Sequence, residues 1–574
     1  MEDGFGVKKA STTKAKLKAK AKAKKKLAKR KSASPKKAKS AKSEKAAPEK
    51  VIPEETPLIE SSHAEKMAGK QREISVSEFF LKNRHLLGFD NPKKALLTTI
   101  KEAVDNSLDA CEEGNILPDL YVEVKQLEED RFIVIIEDNG PGVVREQIPK
   151  IFGKLLYGSK FHSMKQSRGQ QGIGISAAGM YGQLTTGSST KITSRTSPKK
   201  PAHYFEIHID TNKNVPTILK DEIVEWKKNH GTKVEIELEA KYQKGRSSID
   251  NYIRQTVVAN PHMTLTYINP VGEKEIYKAA TNKLPAEPRE IKPHPHGVEL
   301  GILMKMLKST KSRKVKAFLS TDFARVSSQV AAKICTAAGI SEIAWPSSIA
   351  HREADNLYRA INKTKLMNPP TNCLSPIGEG ELLRGIKKNI NAEFYTATTR
   401  TPAVYRGNPF QIEVALAYGG DLPKEELADI MRFANRVPLL YQQSACAISK
   451  SIIQTSWKNY GVDQSRGAIP SGPLVIAVHM ASVWVPFTSE SKEAIASYEE
   501  IMKEIKLALQ ECGRKLDGFI RRGRREAEAK RKKDYIRSYL PHIGIGLREI
   551  LTLKQKDEKK VLHLLTDILE KSRS

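Results

Sequence analysis

One segment of the sequence carries side chains that could hold a hydrated metal ion. In EAVDNSLDA, residues 102–110, Asn106 lies four positions after Glu102, and Asp109 lies seven positions after it. On a helix this spacing places the three side chains on one side. A carboxylate beside a carboxamide suits a divalent cation, and the carboxylate could polarise a nearby water. A solvated acidic helix face has the same spacing, so this segment alone does not assign a site.

A second segment, EDNGPGV at residues 137–143, places a carboxylate and two glycines after a predicted strand. Glycines allow the backbone of a ligand-binding loop to approach closely. Asp138 would then be free to accept a hydrogen bond from an exocyclic amine. An ordinary acidic hairpin turn would have similar residues.

A third segment, SRGQQGIGISAAGMYG at residues 167–182, has Gly169, Gly172 and Gly174 just before a predicted helix of small residues. Backbone amides and the positive end of a helix dipole favour an anion there. The segment is not a Walker A loop, because no GK[ST] follows, and it is not a Rossmann turn, because no strand precedes it. The glycines could also mark only a flexible lid.

A helix and several strands must position these three segments. Apolar residues at steps of three and four predict a helix over residues 93–113, opened by Asn91-Pro92 and stopped by Gly114. Alternating or β-branched runs predict strands at residues 121–127 and 132–138. Further strands are expected around residues 191–195, 204–209 and 232–238. This order favours a helix–sheet sandwich over parallel β-α-β units.

In order, the three segments resemble the motifs of the GHKL ATPases: a helix with Glu and Asn, then DxGxG, then a GxxGxG-type lid. More narrowly, residues 74–496 resemble the B subunits of the type IIB DNA topoisomerases, the topoisomerase VI family. The narrower resemblance rests on residues 168–187, NPPTNCLSPIGE at 368–379, RGNPFQIEVALAYGG at 406–420, RFANRVPLLYQQSACAI at 432–448, and VWVPFTSESKEAIA at 483–496.

The resemblance implies ATP and Mg²⁺ as cofactors and gives each motif residue a role. Glu102 matches the general base that activates the attacking water, and Asn106 matches the magnesium ligand. Asp138 matches the residue that recognises the adenine amino group, and Gly142 lets the base pack beside it. The residues that match the phosphate-contacting pair and the lid are Ser159, Lys160, Arg168, Gly169, Gln170, Gln171, Gly172, Ile173, Gly174 and Ile175.

Lys492, in PFTSESKEAIA, is assigned by the resemblance alone. A single lysine before a predicted helix is usually a surface charge. In the family, the lysine at this position reaches from a second domain to the γ-phosphate, where it could link nucleotide state to domain orientation.

The predicted fold class is α+β with several domains. Residues 1–72 are expected to be a disordered Lys-rich tail and linker, and 73–292 a GHKL (Bergerat) α/β sandwich. Residues 293–371 are expected to form a helix–two-turn–helix domain, 372–535 a transducer domain, and 536–574 a C-terminal helical segment. An apolar stripe predicts a long helix from residue 490 to about 539, and a last helix is expected around residues 549–574.

The net charge of +31 is concentrated at the N-terminus, where residues 1–50 hold nineteen Lys/Arg and four Asp/Glu. A polycationic tail of this kind attracts nucleic acid by releasing phosphate counterions, although it could also aid solubility or targeting. No run of eighteen apolar residues and no secretory signal are seen. Five scattered cysteines without a CxxC pair argue against a zinc site or a disulfide framework.

Two basic regions inside the predicted fold are candidates for contact with double-stranded DNA. One is the loop at residues 241–246, which could also be ordinary surface. The other comprises Lys308, Lys311, Arg313, Lys314 and Lys316 of the predicted helical insert. For this other region, a solvated basic face is an equally good explanation.

The resemblance therefore implies the ATP-hydrolysing B subunit of a type IIB topoisomerase, an isomerase active only with a separate DNA-cleaving A subunit in an A₂B₂ complex. ATP would dimerise two copies around a duplex, and strand passage would relax and decatenate DNA. The expected location is the cytoplasm at the nucleoid, or the nucleus in a eukaryotic host. The alternatives are a GHKL ATPase of the chaperone or mismatch-repair type and a non-enzymatic DNA-binding scaffold.

Overall fold

The computed structural model describes residue 67 and residues 73–571, except residues 161–162, 170–171, 490 and 553. Residues from Glu73 onward form one compact unit. Apart from residue 67, the predicted tail and linker at residues 1–72 lie outside the described part of the chain.

Helix α2, Pro92–Glu113, carries the first sequence motif and lies where the periodicity predicts it. Asn91 caps its N-terminus, because its side chain accepts a hydrogen bond from the backbone N–H of Lys94, at 3.0 Å. The separate helix α1, Val76–Lys82, precedes it. One face of α2, including Leu96, Ile100 and Leu108, is fully buried in the core.

An eight-stranded sheet supports α2. Its strands run in the order β5-β4-β3-β6-β2-β1-β7-β8, and they are antiparallel except for the parallel pair β1 and β7. The helix–sheet sandwich is confirmed, with α2 and α4 packed against β2 and β6. The strands are β1 Asp119–Gln126, β2 Arg131–Glu137, β3 Thr190–Arg195, β4 Ala202–Asp210, β5 Val215–Val224, β6 Gly231–Glu239, β7 Thr264–Ile268 and β8 Lys274–Tyr277. The helices of this part are α3 Ile148–Gly153, α4 Gly174–Thr186 and α5 Ile249–Ala259.

An all-helical segment with its own apolar core follows the sheet, as the sequence predicts. Its helices are α6 Leu300–Ser309, α7 Val315–Asp322, α8 Ser328–Ala338 and α9 His351–Lys363. Four of the five candidate DNA-binding cations here are exposed, whereas Lys316 pairs with Glu342 at 2.7 Å. In the other candidate region, the charged ends of the 241–246 loop are exposed.

A second sheet and a long helix complete the unit. Strands β10-β11-β14-β12-β13 are neighbours in that order, and β9 pairs with β11. The strands are β9 Phe394–Thr399, β10 Ala403–Tyr405, β11 Asn408–Tyr418, β12 Asp429–Ala434, β13 Val437–Pro438 and β14 Leu474–Ser482. The helices are α10 Glu379–Asn389, α11 Ala447–Gln454, α12 Glu499–Leu551 and α13 Gln555–Lys571.

The predicted bounds of the long helix are wrong, and the last helix, expected around residues 549–574, begins at Gln555. Helix α12 begins at Glu499, not near residue 490, because Ile495 is bridged to Phe487 in a closed loop. It also continues past Pro541 to Leu551. A proline removes one helical hydrogen bond, but α13 packs back here and holds Gly544 against Leu562.

No helix in the described ranges is long and apolar enough to cross a membrane. The five cysteines are all buried as free thiols. Helix α12 carries an exposed, densely basic stretch at residues 521–532.

Candidate active site

A cavity of about 560 Å³ opens between α2, α3, the segment before α4, and strands β2 and β6. Ligand sites commonly have volumes of roughly 300–1,000 Å³. The predicted site residues that line it are Glu102, Asn106, Asp138, Ser159, Lys160, Gly169, Gly172, Ile173, Gly174, Ile175 and Lys492.

Glu102 and Asn106 reach the cavity from consecutive turns of α2. The carboxylate of Glu102 lies against the backbone of Gly174, where an added Cβ would come within 1.8 Å of Oε2. A larger residue at position 174 would therefore displace this carboxylate. Asn106 is exposed to the cavity, and its Oδ1 lies near Gly169. The third residue of the motif, Asp109, does not line the cavity and instead pairs with Lys160 and Arg168.

Asp138 lies at the end of β2 with its carboxylate held by three hydrogen bonds. Oδ1 accepts from the N–H groups of Gly140 and Thr232 at 2.9 and 3.0 Å, and Oδ2 accepts from Ser107 Oγ at 3.0 Å. Burial raises the pKa of Asp138, although these hydrogen bonds oppose the shift. Oδ2 keeps a lone pair for a further donor, such as an exocyclic amine.

Gly142 does not line the cavity, although its neighbour Val143 does. It has φ +72°, and an added Cβ would lie 2.1 Å from the carbonyl oxygen of Arg195. The turn after Asp138 therefore requires glycine both for its backbone conformation and for its close approach to β3.

The glycine-rich segment leads into α4 as the sequence predicts. Gly172, Ile173 and Gly174 line the cavity, and no side chain among the described residues caps the N-terminus of this thirteen-residue helix. Its first backbone N–H groups are therefore open to an anion. Gln170 and Gln171 lie outside the described residues.

Ser159 and Lys160 line the same end of the cavity. Lys160 Nζ donates to Asp109 at 2.6 Å and lies 3.3 Å from Glu113. These acids raise the pKa of Lys160, although burial alone would lower it.

Lys492 enters the cavity from the loop before α12, far along the chain from the other motifs. Its backbone has φ +53°, a conformation that non-glycine residues rarely adopt. Its Nζ lies 3.4 Å from the carbonyl oxygen of Arg168. Glu493 pairs with Lys94 at the start of α2, which helps to hold the loop there.

The side chain of Arg168 is directed away from the cavity. It does not belong to the lining, and it pairs with Asp109 and Glu112 on the far part of α2. The predicted nucleotide contact of Arg168 stays a prediction.

Sequence reasoning missed Ser107 and Thr232, which orient Asp138. Ser107 directly follows Asn106, so its position on α2 could have indicated it. Thr232 comes from β6, ninety-four positions after Asp138, and no local pattern connects the two. The apolar wall beside Asp138 is formed by Ala110, Ile136, Val143, Ile151, Phe152 and Val234.

The lining fits ATP with a divalent cation. An apolar wall with a buried acceptor suits an adenine ring, and open helix amides with two lysines suit phosphates. The Asn106 carboxamide provides an oxygen ligand of the kind that Mg²⁺ accepts beside phosphates and water.

Two family models match the chain. The model described as "Histidine kinase-, DNA gyrase B-, and HSP90-like ATPase" matches residues 91–241, and "Topoisomerase VI B subunit, transducer" matches residues 369–532. The B subunit of type 2 DNA topoisomerase 6 from Methanosarcina mazei is 51% identical over 87% of this chain and 79% of the relative. The chain belongs to the family of topoisomerase VI B subunits.

A second relative agrees with this assignment, and the solved structures are more distant. The corresponding B subunit from Archaeoglobus fulgidus is 47% identical over 84% of this chain and 80% of the relative. The alignment with the solved structure of the gyrase B subunit from Myxococcus xanthus covers 77% of this chain and 95% of that structure's chain. Its sequence identity is 12% and its TM-score is 0.38. That similarity is too distant to support a function. The resemblance to the topoisomerase VI B subunits, the GHKL ATPase domain and the α+β fold class are confirmed, whereas the exact domain boundaries stay predictions.

Proposed function

We propose that this chain binds and hydrolyses Mg·ATP, and that ATP closes a gate between two copies while a separate A subunit cleaves DNA. The observation that carries the proposal is the convergence of Glu102, Asn106, Asp138, the start of α4 and Lys492 on one cavity. These groups come from distant parts of the chain, and a non-catalytic scaffold has no need to assemble them. The transducer match and the relatives favour this family over chaperone or mismatch-repair ATPases.

Each of these residues has a separate role in the cavity. Asp138 accepts a hydrogen bond from the adenine amino group beside the apolar wall. Gly142 allows the turn after Asp138 to pack close to β3, so that the base fits beside it. Asn106 holds the magnesium ion, which neutralises phosphate charge when bound. The α4 amides, Ser159 and Lys160 bind phosphate oxygens, with Gln170 and Gln171 proposed as further lid contacts. Glu102 polarises the attacking water and takes its proton.

Lys492 is proposed as the switch between nucleotide state and domain orientation. It lies within residues 369–532, which match the transducer model and are called the transducer side of the chain here. Its side chain nevertheless lines the ATP cavity. A cation that senses the terminal phosphate would favour one arrangement of the two domains with ATP and release it after hydrolysis.

We propose two kinds of macromolecular partner. Double-stranded DNA would contact exposed cations of the helical segment, the 241–246 loop and the N-terminal tail. The A subunit, in an A₂B₂ complex, would bind the end of α12 and α13, where Tyr535, Ile550 and Ile568 are exposed. The protein would accordingly be found with DNA, at the nucleoid or in a nucleus.

The test is copurification with a candidate A subunit, followed by relaxation of supercoiled DNA with and without ATP. ATP-dependent relaxation that needs both polypeptides supports the proposal. ATP hydrolysis without any strand passage alongside a bound A subunit would contradict the topoisomerase role while leaving the ATPase intact.

Replacing Asp138 with asparagine should relax the preference for ATP over GTP by about 10- to 100-fold, because an acceptor facing an amine becomes partly a donor. Competition binding of the two nucleotides measures this ratio. Asp119→Asn, at an exposed position outside the cavity, is the matched control. An unchanged ratio in Asp138→Asn would remove Asp138 from base recognition.

Deleting residues 1–50 removes nineteen basic and four acidic residues. Duplex DNA affinity should fall, and the slope of log K against log salt should become shallower by about 0.9 for each phosphate that the protein no longer neutralises. ATP hydrolysis without DNA should stay unchanged, because no predicted site residue lies in this segment. Binding curves over a salt series decide the matter, and identical slopes would assign the tail to solubility or targeting.

A further inference from the structure

Arg168 directly precedes the glycines that lead to the phosphate-binding end of the cavity, yet both terminal nitrogens of its guanidinium are bound elsewhere. Nη1 donates to Asp109 Oδ1 and Glu112 Oε2, both at 2.8 Å. Nη2 donates to Glu112 Oε1 at 2.7 Å and Asn260 Oδ1 at 2.6 Å. These four bonds use all four N–H groups of the two terminal nitrogens. The remaining nitrogen, Nε, is buried and has no hydrogen-bond partner among the described residues.

The groups around Arg168 form a buried cluster, defined here as Arg168, Asp109, Glu112, Asn260 and His262. The Arg168 side chain is only 3% exposed. Glu112 Oε1 also bonds His262 Nε2 at 2.8 Å. Burial alone would raise the pKa of Glu112, but the charge of Arg168 brings it below its usual value. Turning Arg168 toward the cavity would leave Asp109 with Lys160 alone and would take the guanidinium away from the partly buried Glu112, which is costly.

The residues just before Arg168 are held by the second sheet and the segment leading to it. Gln166 and Ser375 exchange two hydrogen bonds, at 3.0 and 2.7 Å. Asn435 Nδ2 donates to the carbonyl of Ser167 at 3.0 Å. Residues 166–168, named here the lid stem, therefore connect the buried cluster to the transducer side of the chain.

We propose that Arg168 is a positioning residue, whose side chain anchors the lid stem to α2. The proposal rests on the ATP site proposed above, but its geometry does not need nucleotide. The anchored stem would keep α4 in register with Glu102 and Asn106. The stem would also bring the transducer and the Lys492 loop to the same point, since Lys492 contacts the carbonyl of Arg168.

Hydrogen exchange of the nucleotide-free full chain tests the anchor directly. Arg168→Met and Glu112→Gln should each reduce protection of the lid-stem amides by at least about tenfold, because local opening loses a buried ion pair. The double variant should lose little more amide protection than either single variant, since both substitutions break the same ion pair. Arg359→Met, which removes an exposed ion pair in α9, is the matched control and should leave the lid stem unchanged.

Measurements of nucleotide affinity distinguish a role of Arg168 as an anchor from a role as a direct phosphate ligand. An anchor predicts that Arg168→Met weakens ADP and a non-hydrolysable ATP analogue by the same factor, and that Glu112→Gln reproduces part of this loss. Arg168→Lys keeps the charge with fewer donors and provides a milder variant if Arg168→Met fails to fold.

Unchanged lid-stem protection in both Arg168 variants would overturn the anchor. So would selective loss of the ATP analogue with no effect of Glu112→Gln. If the wild-type chain bound no ATP at all, the proposed function would fail, yet the exchange experiment would still decide the anchor.

Discussion

Glu102→Ala should retain ATP binding and lose hydrolysis by a factor of about 10²–10⁴, the usual effect of removing a general base. The carboxylate lines the cavity beside Gly174, where α4 begins. Its loss removes the acceptor for the proton of the attacking water but leaves Asp138 and the helix amides in place. Single-turnover hydrolysis, measured beside equilibrium binding of a non-hydrolysable analogue, separates the two effects.

Glu128→Ala is a suitable control for this substitution, because Glu128 is a mostly exposed carboxylate outside the cavity. Its hydrolysis rate should match that of the wild type. A wild-type rate in Glu102→Ala would reject Glu102 as the base. Loss of analogue binding in that variant would instead give Glu102 a role in holding nucleotide.

Lys492→Ala should lower hydrolysis by about 10²–10³, the effect of removing one electrostatic stabiliser of a transferring phosphoryl group. Nucleotide should still bind, because the base pocket and the helix amides remain. The nucleotide-dependent change of domain orientation should be lost, since the cation on the transducer side no longer senses the terminal phosphate. Small-angle scattering with and without a non-hydrolysable analogue measures that change.

Lys424→Ala removes an exposed lysine from the same part of the chain and should behave like the wild type in both assays. Normal compaction of Lys492→Ala with the analogue would refute the switch. A hydrolysis defect with normal compaction would restrict Lys492 to phosphate chemistry within one active site.

Short sequence patterns predicted those helices and strands whose signals lie within the element itself or directly beside it. Helix α2 could be predicted because its apolar period, its Asn91 cap and its stop all lie within about twenty-five residues. Strand β1 has buried residues at alternating positions, and β2 has a mostly buried β-branched run; the sequence shows both patterns. Strand β5 was missed, because it is a largely exposed edge strand with no apolar alternation to indicate it.

The sequence by itself determined the three ATPase motifs, the positive charge and the order of the elements, because each depends on residue type and short spacing. Lys492 could be named only through family resemblance. Tertiary structure alone decided that Lys492 reaches the cavity, that Thr232 orients Asp138, and that Arg168 is held by Asp109 and Glu112. Each of these contacts joins residues tens to hundreds of positions apart, and packing of the sheets and helices, not local propensity, brings such residues together.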